Sequence, residues 1–145
     1  MSSKTFFSKN QQVLIINSIS QAEKSTSGEV RVHLENNCKG DPIIRAIEVF
    51  TLLKMDQTKL ENGVLFYFAI KSKKFAIIGG QGIDKVVPTD FWDSIRNEIT
   101  VNFKSGNYTE ALINGILTTG EKLKKHFPYS KDDINELSND ISFEE

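Results

Sequence analysis

At 145 residues, with 39% hydrophobic and 26% charged residues, the chain has the composition of one globular domain, long enough to bury roughly two-thirds of its unfolded surface. A net charge of −1 excludes a nucleic-acid-binding surface at the level of the whole chain, and a single cysteine, Cys38, excludes an internal disulfide. No stretch reaches the ~18 apolar residues of a membrane span and no apolar run follows the first five residues, so a cytoplasmic protein is expected.

In chain order, the first helix is predicted over residues 9–25. Ser8 is its N-cap, and Gln11 three residues on completes a capping box. Val13, Ile16 and Ile19 form one stripe, widened by Ile15 and Ala22. Residues 29–35 alternate, with Val30, Val32 and Leu34 on one face and Glu29, Arg31, His33 and Glu35 on the other. That pattern predicts a strand near the sheet edge with one buried face and an exposed His33. Asp41 and Pro42 read as N-cap and first position of a second helix carrying Ile43, Ile47 and Phe50. Residues 64–70 are apolar throughout, as a central strand covered on both faces would be. A short lysine-rich connection, residues 71–74, joins it to a strand over 75–78, which is therefore antiparallel to it.

Thr89 or Asp90 is expected to cap a third helix with Trp92, Ile95, Ile99 and Phe103 on its apolar stripe. Residues 104–107 break it. A fourth helix follows over 108–126, with Tyr108, Ala111, Leu112, Ile116 and Leu123 facing inward. Gly115 and Gly120 within it predict close packing against a neighbouring element. Pro128 ends the domain, placed at residues 1–130. Residues 131–145 hold six acids against Lys131. They read as a solvated acidic tail, or as one pinned near Lys122, Lys124 and Lys125 by Ile134, Leu137 and Ile141.

The order α-β-α-β-β-α-α contains one βαβ unit, which makes its two strands parallel. An α/β domain around a small mixed sheet follows. Its topology brings three polar segments to one rim: Thr26 to Glu29, Glu61 to Gly63, and Gly79 to Asp84. Asp56 arrives there from the second helix. Gly79, Gly80 and Gly82 permit a sharp turn whose N–H groups could hold phosphate. Glu29, Asp56, Glu61 and Asp84 supply hard oxygen ligands suited to Ca²⁺ or Mg²⁺. The loop is neither a Walker motif nor a dinucleotide fingerprint. His33 and His126, the only histidines, are not placed to meet, which argues against a His-based metal site or catalytic triad. Cys38 reads as an incidental thiol, Trp92 as core.

Four spaced runs resemble the signature of the TPM domain family, also called TPM phosphatase. They are Thr26, Ser27, Gly28, Glu29 and Val30; Asn62, Gly63, Val64 and Leu65; Ile77 to Ile83; and Phe103, Lys104, Ser105 and Gly106. The resemblance covers residues 6–128. It implies an α/β/α sandwich, divalent-metal binding in some members, and a weak phosphatase or nucleotide phosphohydrolase activity on substrates such as ATP and ADP. On that basis Asn62, Gly80, Gly82 and Asp84 are carried over as site residues, and Gly79 and Gln81 join them in the phosphate loop. Asp56 and Glu29 come from the rim argument, with Asp84 and Asp56 as the candidate catalytic acids. The rival expectation is a non-catalytic metal-binding or protein-interaction module, because no activated nucleophile is evident.

Overall fold

The computed structural model describes residues 2–131 and 135–144. A one-turn helix α1 (Ser3–Phe6) precedes α2 (Lys9–Glu23). The predicted box caps α2: Ser8 Oγ accepts the Gln11 N–H at 3.1 Å and Gln11 Oε1 accepts the Ser8 N–H at 2.9 Å. Strand β1 (Glu29–Glu35) follows, then α3 (Pro42–Leu52), where Asp41 Oδ1 accepts the Ile43 N–H at 2.9 Å ahead of Pro42. A 3₁₀ turn (Met55–Gln57) leads to β2 (Gly63–Ala69), β3 (Lys74–Gly79) and a four-residue helix α4 (Gln81–Asp84). Helix α5 (Asp93–Lys104) starts later than Thr89 or Asp90 would set it, after turns through Trp92. Gly106, at φ +79°, breaks the chain before α6 (Tyr108–Leu123). A last short strand, β4 (Ser142–Glu144), closes the described chain.

The sheet order is β3-β2-β1-β4. β1 runs parallel to β2 and to β4, and β3 runs antiparallel to β2. One face packs on α2, α5 and α6 through Val32, Phe66, Ile19, Ile99 and Ile116. The other packs on α3 through Leu65, Tyr67, Ala46 and Val49. The result is the expected α/β/α arrangement. The two helical glycines serve close packing: a Cβ on Gly120 would lie 2.9 Å from Ala22 Cα, and one on Gly115 3.0 Å from Ile99. No described helix is long and apolar enough to cross a membrane.

Two expectations are corrected. β1 lies next to the short edge strand β4 but is buried on both faces, not one, and His33 is 4% exposed. The cause is the acidic C-terminal segment, which docks instead of remaining solvated. Leu137 and Ile141 are buried, the Leu137 N–H donates to Glu29 at 2.7 Å, and β4 pairs with β1 at His33, Leu34 and Glu35. The docking site is the polar side of β1, not Lys122, Lys124 and Lys125. Ile134 lies outside the described residues.

Candidate functional site

The predicted rim forms where β1 and β2 begin and β3 ends. Its loop before β2 holds two left-handed residues, Lys54 at φ +59° and Glu61 at φ +49°, a conformation that costs a non-glycine residue energy. The glycine loop is pressed against it. A Cβ on Gly80 would lie 2.3 Å from the Glu61 carbonyl oxygen, and one on Gly82 2.1 Å from that of Leu60. The glycines are there because two backbones meet. The Gly82 N–H donates to the Glu61 carbonyl at 2.9 Å and the Gly80 N–H to that of Gly63 at 2.9 Å. The Ile83 and Asp84 N–H groups both donate to the Gly80 carbonyl, so four amides of this loop are used inside the protein.

A groove of about 790 Å³ opens beside this junction. Asp56, Glu61, Gly79, Gly80, Gln81 and Asp84 line its rim end. Its walls are Ile43, Ile47 and Phe50 of α3 on one side and Trp92 and Arg96 on the other, with β3 between them. Asp56 and Asp84 are exposed, and Glu61 half-buried. Partial burial in the groove nevertheless raises the Asp84 carboxyl above the ordinary aspartate range. Thus six of the expected residues line one groove. Gly82 lies behind them at the loop contact. Asn62, 2% exposed, takes a bracing position: its carbonyl accepts the Glu29 N–H at 3.3 Å and its Nδ2 donates to Ser27 Oγ at 3.5 Å.

Glu29 stands apart. β1 lies two strands in from β3, roughly 10 Å away, and the Glu29 carboxylate faces Leu137. Alternation had marked Glu29 as solvent-facing, and the docked C-terminal segment changed that.

At the opposite rim the polar face of β1 builds a second cluster. His33, Glu35 and Glu144 each offer one donor atom, all within 4.8 Å of one another, so the trio could hold a metal ion. Arg45 already supplies the cation there. Its Nε donates to Glu35 Oε2 at 3.0 Å, and another of its nitrogens donates to Glu35 Oε1 at 3.0 Å and to Glu144. Tyr67 donates its hydroxyl to Glu35, and His33 Nε2 lies 3.1 Å from the same carboxylate. Burial alone would push Glu35 up, but these hydrogen bonds outweigh it and hold its pKa down at about 2. Burial lowers His33 and keeps it neutral, so its Nε2–H donates to Glu35 and its Nδ1 accepts the Ser142 hydroxyl at 2.7 Å. Burial, then the hydrogen bond to Glu35, raises Tyr67. A metal at this trio would have to displace a guanidinium bound on both sides. The sequence reading missed this cluster, and its one signal was four successive polar residues on one face of β1.

Comparison with known proteins accords with this architecture. A family model described as the TPM domain matches residues 1–122. The solved structure of the BA42 protein from the psychrophilic bacterium Bizionia argentinensis is 49% identical, with 97% of each chain covered and a TM-score of 0.92. The N-terminal domain of a protein from P. gingivalis, at 19% identity, covers 85% of this chain and 80% of its own with a TM-score of 0.69. The N-terminal domain of the cg2496 protein from Corynebacterium glutamicum, at 13% identity, covers 97% of this chain and 81% of its own with a TM-score of 0.62. The last two share the fold. A search of curated proteins found no match. The chain belongs to the TPM domain family.

Proposed function

We propose that this TPM domain binds a divalent cation in the groove through Asp56, Glu61 and Asp84, and that it is a slow, metal-dependent phosphohydrolase of phosphate esters or nucleotides. The observation that carries the reading is a shared lining: three carboxylates from separate segments border one groove with the glycine loop and a cation, Arg96. Among the described residues only His33, Glu35 and Glu144 bring three donor atoms within 4.8 Å, so an ion here would have to draw the exposed Asp56 and Asp84 side chains together. All-oxygen donors suit Ca²⁺ or Mg²⁺ rather than a softer ion. When bound, such an ion supplies charge neutralisation to phosphoryl oxygens. Phosphate contacts fall to the Gln81 and Arg96 side chains and the outward-facing Gly79 N–H, because the amides of Gly80, Gly82, Ile83 and Asp84 are already engaged. Asp84, with its raised pKa, is the candidate general base for an attacking water. Turnover is slow because, among the described residues, no cysteine, serine or histidine lines the groove, and its one hydroxyl, that of Thr51, is donated to the Ile47 carbonyl at 3.3 Å.

Amide chemical-shift titration with Ca²⁺ and Mg²⁺, followed by a non-hydrolysable ATP analogue, tests this site. Shifts confined to residues 54–62 and 79–84, with a metal-dependent rise in melting temperature, are expected. Phosphate release from ATP that chelator and Asp84→Asn leave unchanged would exclude the catalytic reading. The engaged amides and the missing nucleophile favour one alternative, a cation-binding module without catalysis. Metal-induced shifts without any chelator-sensitive phosphate release would identify it.

A further inference from the structure

The groove has a property the cation reading does not use: its floor is a free sheet edge. β3 pairs only with β2 in the described sheet. The Gly80 N–H bonds to Gly63, and antiparallel ladders alternate, so Ile78, Ala76 and Lys74 bond inward. Phe75, Ile77 and Gly79 therefore direct their N–H and C=O groups into the groove. Sheet edges are usually guarded by charged residues, proline or a bulge. Here residues 75–79 hold no charge and no proline, and the lysines stand only at one end. Beside the edge, Ile43 and Ile47 of α3 are 52% and 51% exposed, an apolar surface that no described element covers.

We propose that the β3 edge receives an extended strand from a partner protein, with alternating apolar residues at its centre and basic residues at its N-terminal end. Charge defines the polarity. Asp56, Glu61 and Asp84 stand at the Gly79 end against one Arg96, while Lys71, Lys73 and Lys74 stand at the other. An antiparallel strand, the more stable pairing, enters with its N-terminus beside the acids. Its apolar side chains lie on Ile43 and Ile47. A second copy of this chain fits worse. Helix α3 packs over β3 itself, so edge-to-edge pairing would bring two α3 helices closer than the ~8–10 Å that helices require. A lone strand needs only ~4.8 Å.

The test uses the full chain in chelator, which separates this inference from the cation site. The probe is a synthetic peptide, acetyl-KRVTVTVE-amide, with three controls: the charge-reversed acetyl-EEVTVTVK-amide, the first peptide N-methylated at alternate residues, and the surface variant Ile43→Lys/Ile47→Lys. Expected are slowed amide exchange at Phe75, Ile77 and Gly79 and cross-strand NOEs to β3. Charge reversal should weaken binding roughly tenfold, from three exposed ion pairs at about twofold each. N-methylation and the double variant should abolish it. No protection along β3, binding that survives N-methylation, or self-association of the chain through this edge would each overturn the proposal.

Discussion

Replacing Leu137 by alanine measures whether the C-terminal segment is part of the fold. Leu137 is 9% exposed, packs in the α3-side core with Met55, and places Cδ1 3.5 Å from where a Gly63 Cβ would sit. A buried Leu→Ala change costs ~2–5 kcal/mol, least where the surroundings can collapse. Leu137 sits on a strap at the surface, so the low end applies, about 2–3 kcal/mol. Only its backbone N–H enters the bond to the Glu29 carboxylate, so that bond survives the change. For a domain of this size the loss lowers the melting temperature by roughly 5–10 °C. Urea unfolding followed by the fluorescence of Trp92, the sole tryptophan and 8% exposed, reads it directly. An unchanged m-value would show that the loss lies in stability rather than in altered exposed surface. Leu52→Ala, at a residue 67% exposed, is the matched control and should stay within about 0.5 kcal/mol. A loss below ~0.5 kcal/mol at Leu137 would refute the docked segment.

Gly82→Ala should destabilise by about 3 kcal/mol or more and shift the amides of residues 60–62, because its Cβ meets the Leu60 carbonyl oxygen at 2.1 Å. Gly40→Ala, with nothing within 4 Å, should be neutral or slightly stabilising. Glu23, the last residue of α2, is raised by burial to about 7 although it accepts the Val30 N–H at 3.0 Å. The folded chain thus holds a proton that the unfolded chain has released, so this group's contribution to stability falls as pH rises from about 4.5 to 7 and then levels. Subtracting the Glu23→Gln curve from that of the parent isolates it from His33, whose lowered value gives the opposite slope below about 6.5. The difference should span about 1–2 kcal/mol after allowing for partial exposure, and a flat difference would dismiss the burial argument. Arg45→Ala should weaken the fold by leaving Glu35 without its cation, and Zn²⁺ should then raise the melting temperature of the variant more than that of the parent.

Local signals carried most of the architecture. The box at Ser8 and Gln11, the Asp41-Pro42 start, the apolar β2 and the lysine-rich hairpin each act within a few residues, and each appears where expected. Asp56, Glu61 and Asp84 were reachable too, because parallel β1 and β2 with antiparallel β3 leave their segments no other end to occupy, whereas Glu29 was not. What stayed hidden was long-range. β4 is three residues in an acidic stretch, too short and polar to announce a strand, and only pairing with β1 makes it one. Its docking turns Glu29, His33 and Glu35 from outward polar residues into buried ones. Arg45 gave no sign of its partner either, since Glu144 lies 99 residues along the chain.

The Ser3 hydroxyl donates to the Glu144 carbonyl at 2.9 Å, across 141 positions of sequence. The Ser3 N–H reaches Asn36 Oδ1 at 2.7 Å, directly after β1. Two segments far apart along the chain thus meet beside β1. Residues 3 and 144 share one address, so loosening either removes a hydrogen-bond partner of the other. The outer side of β1 is therefore closed by these two segments, each braced by the other.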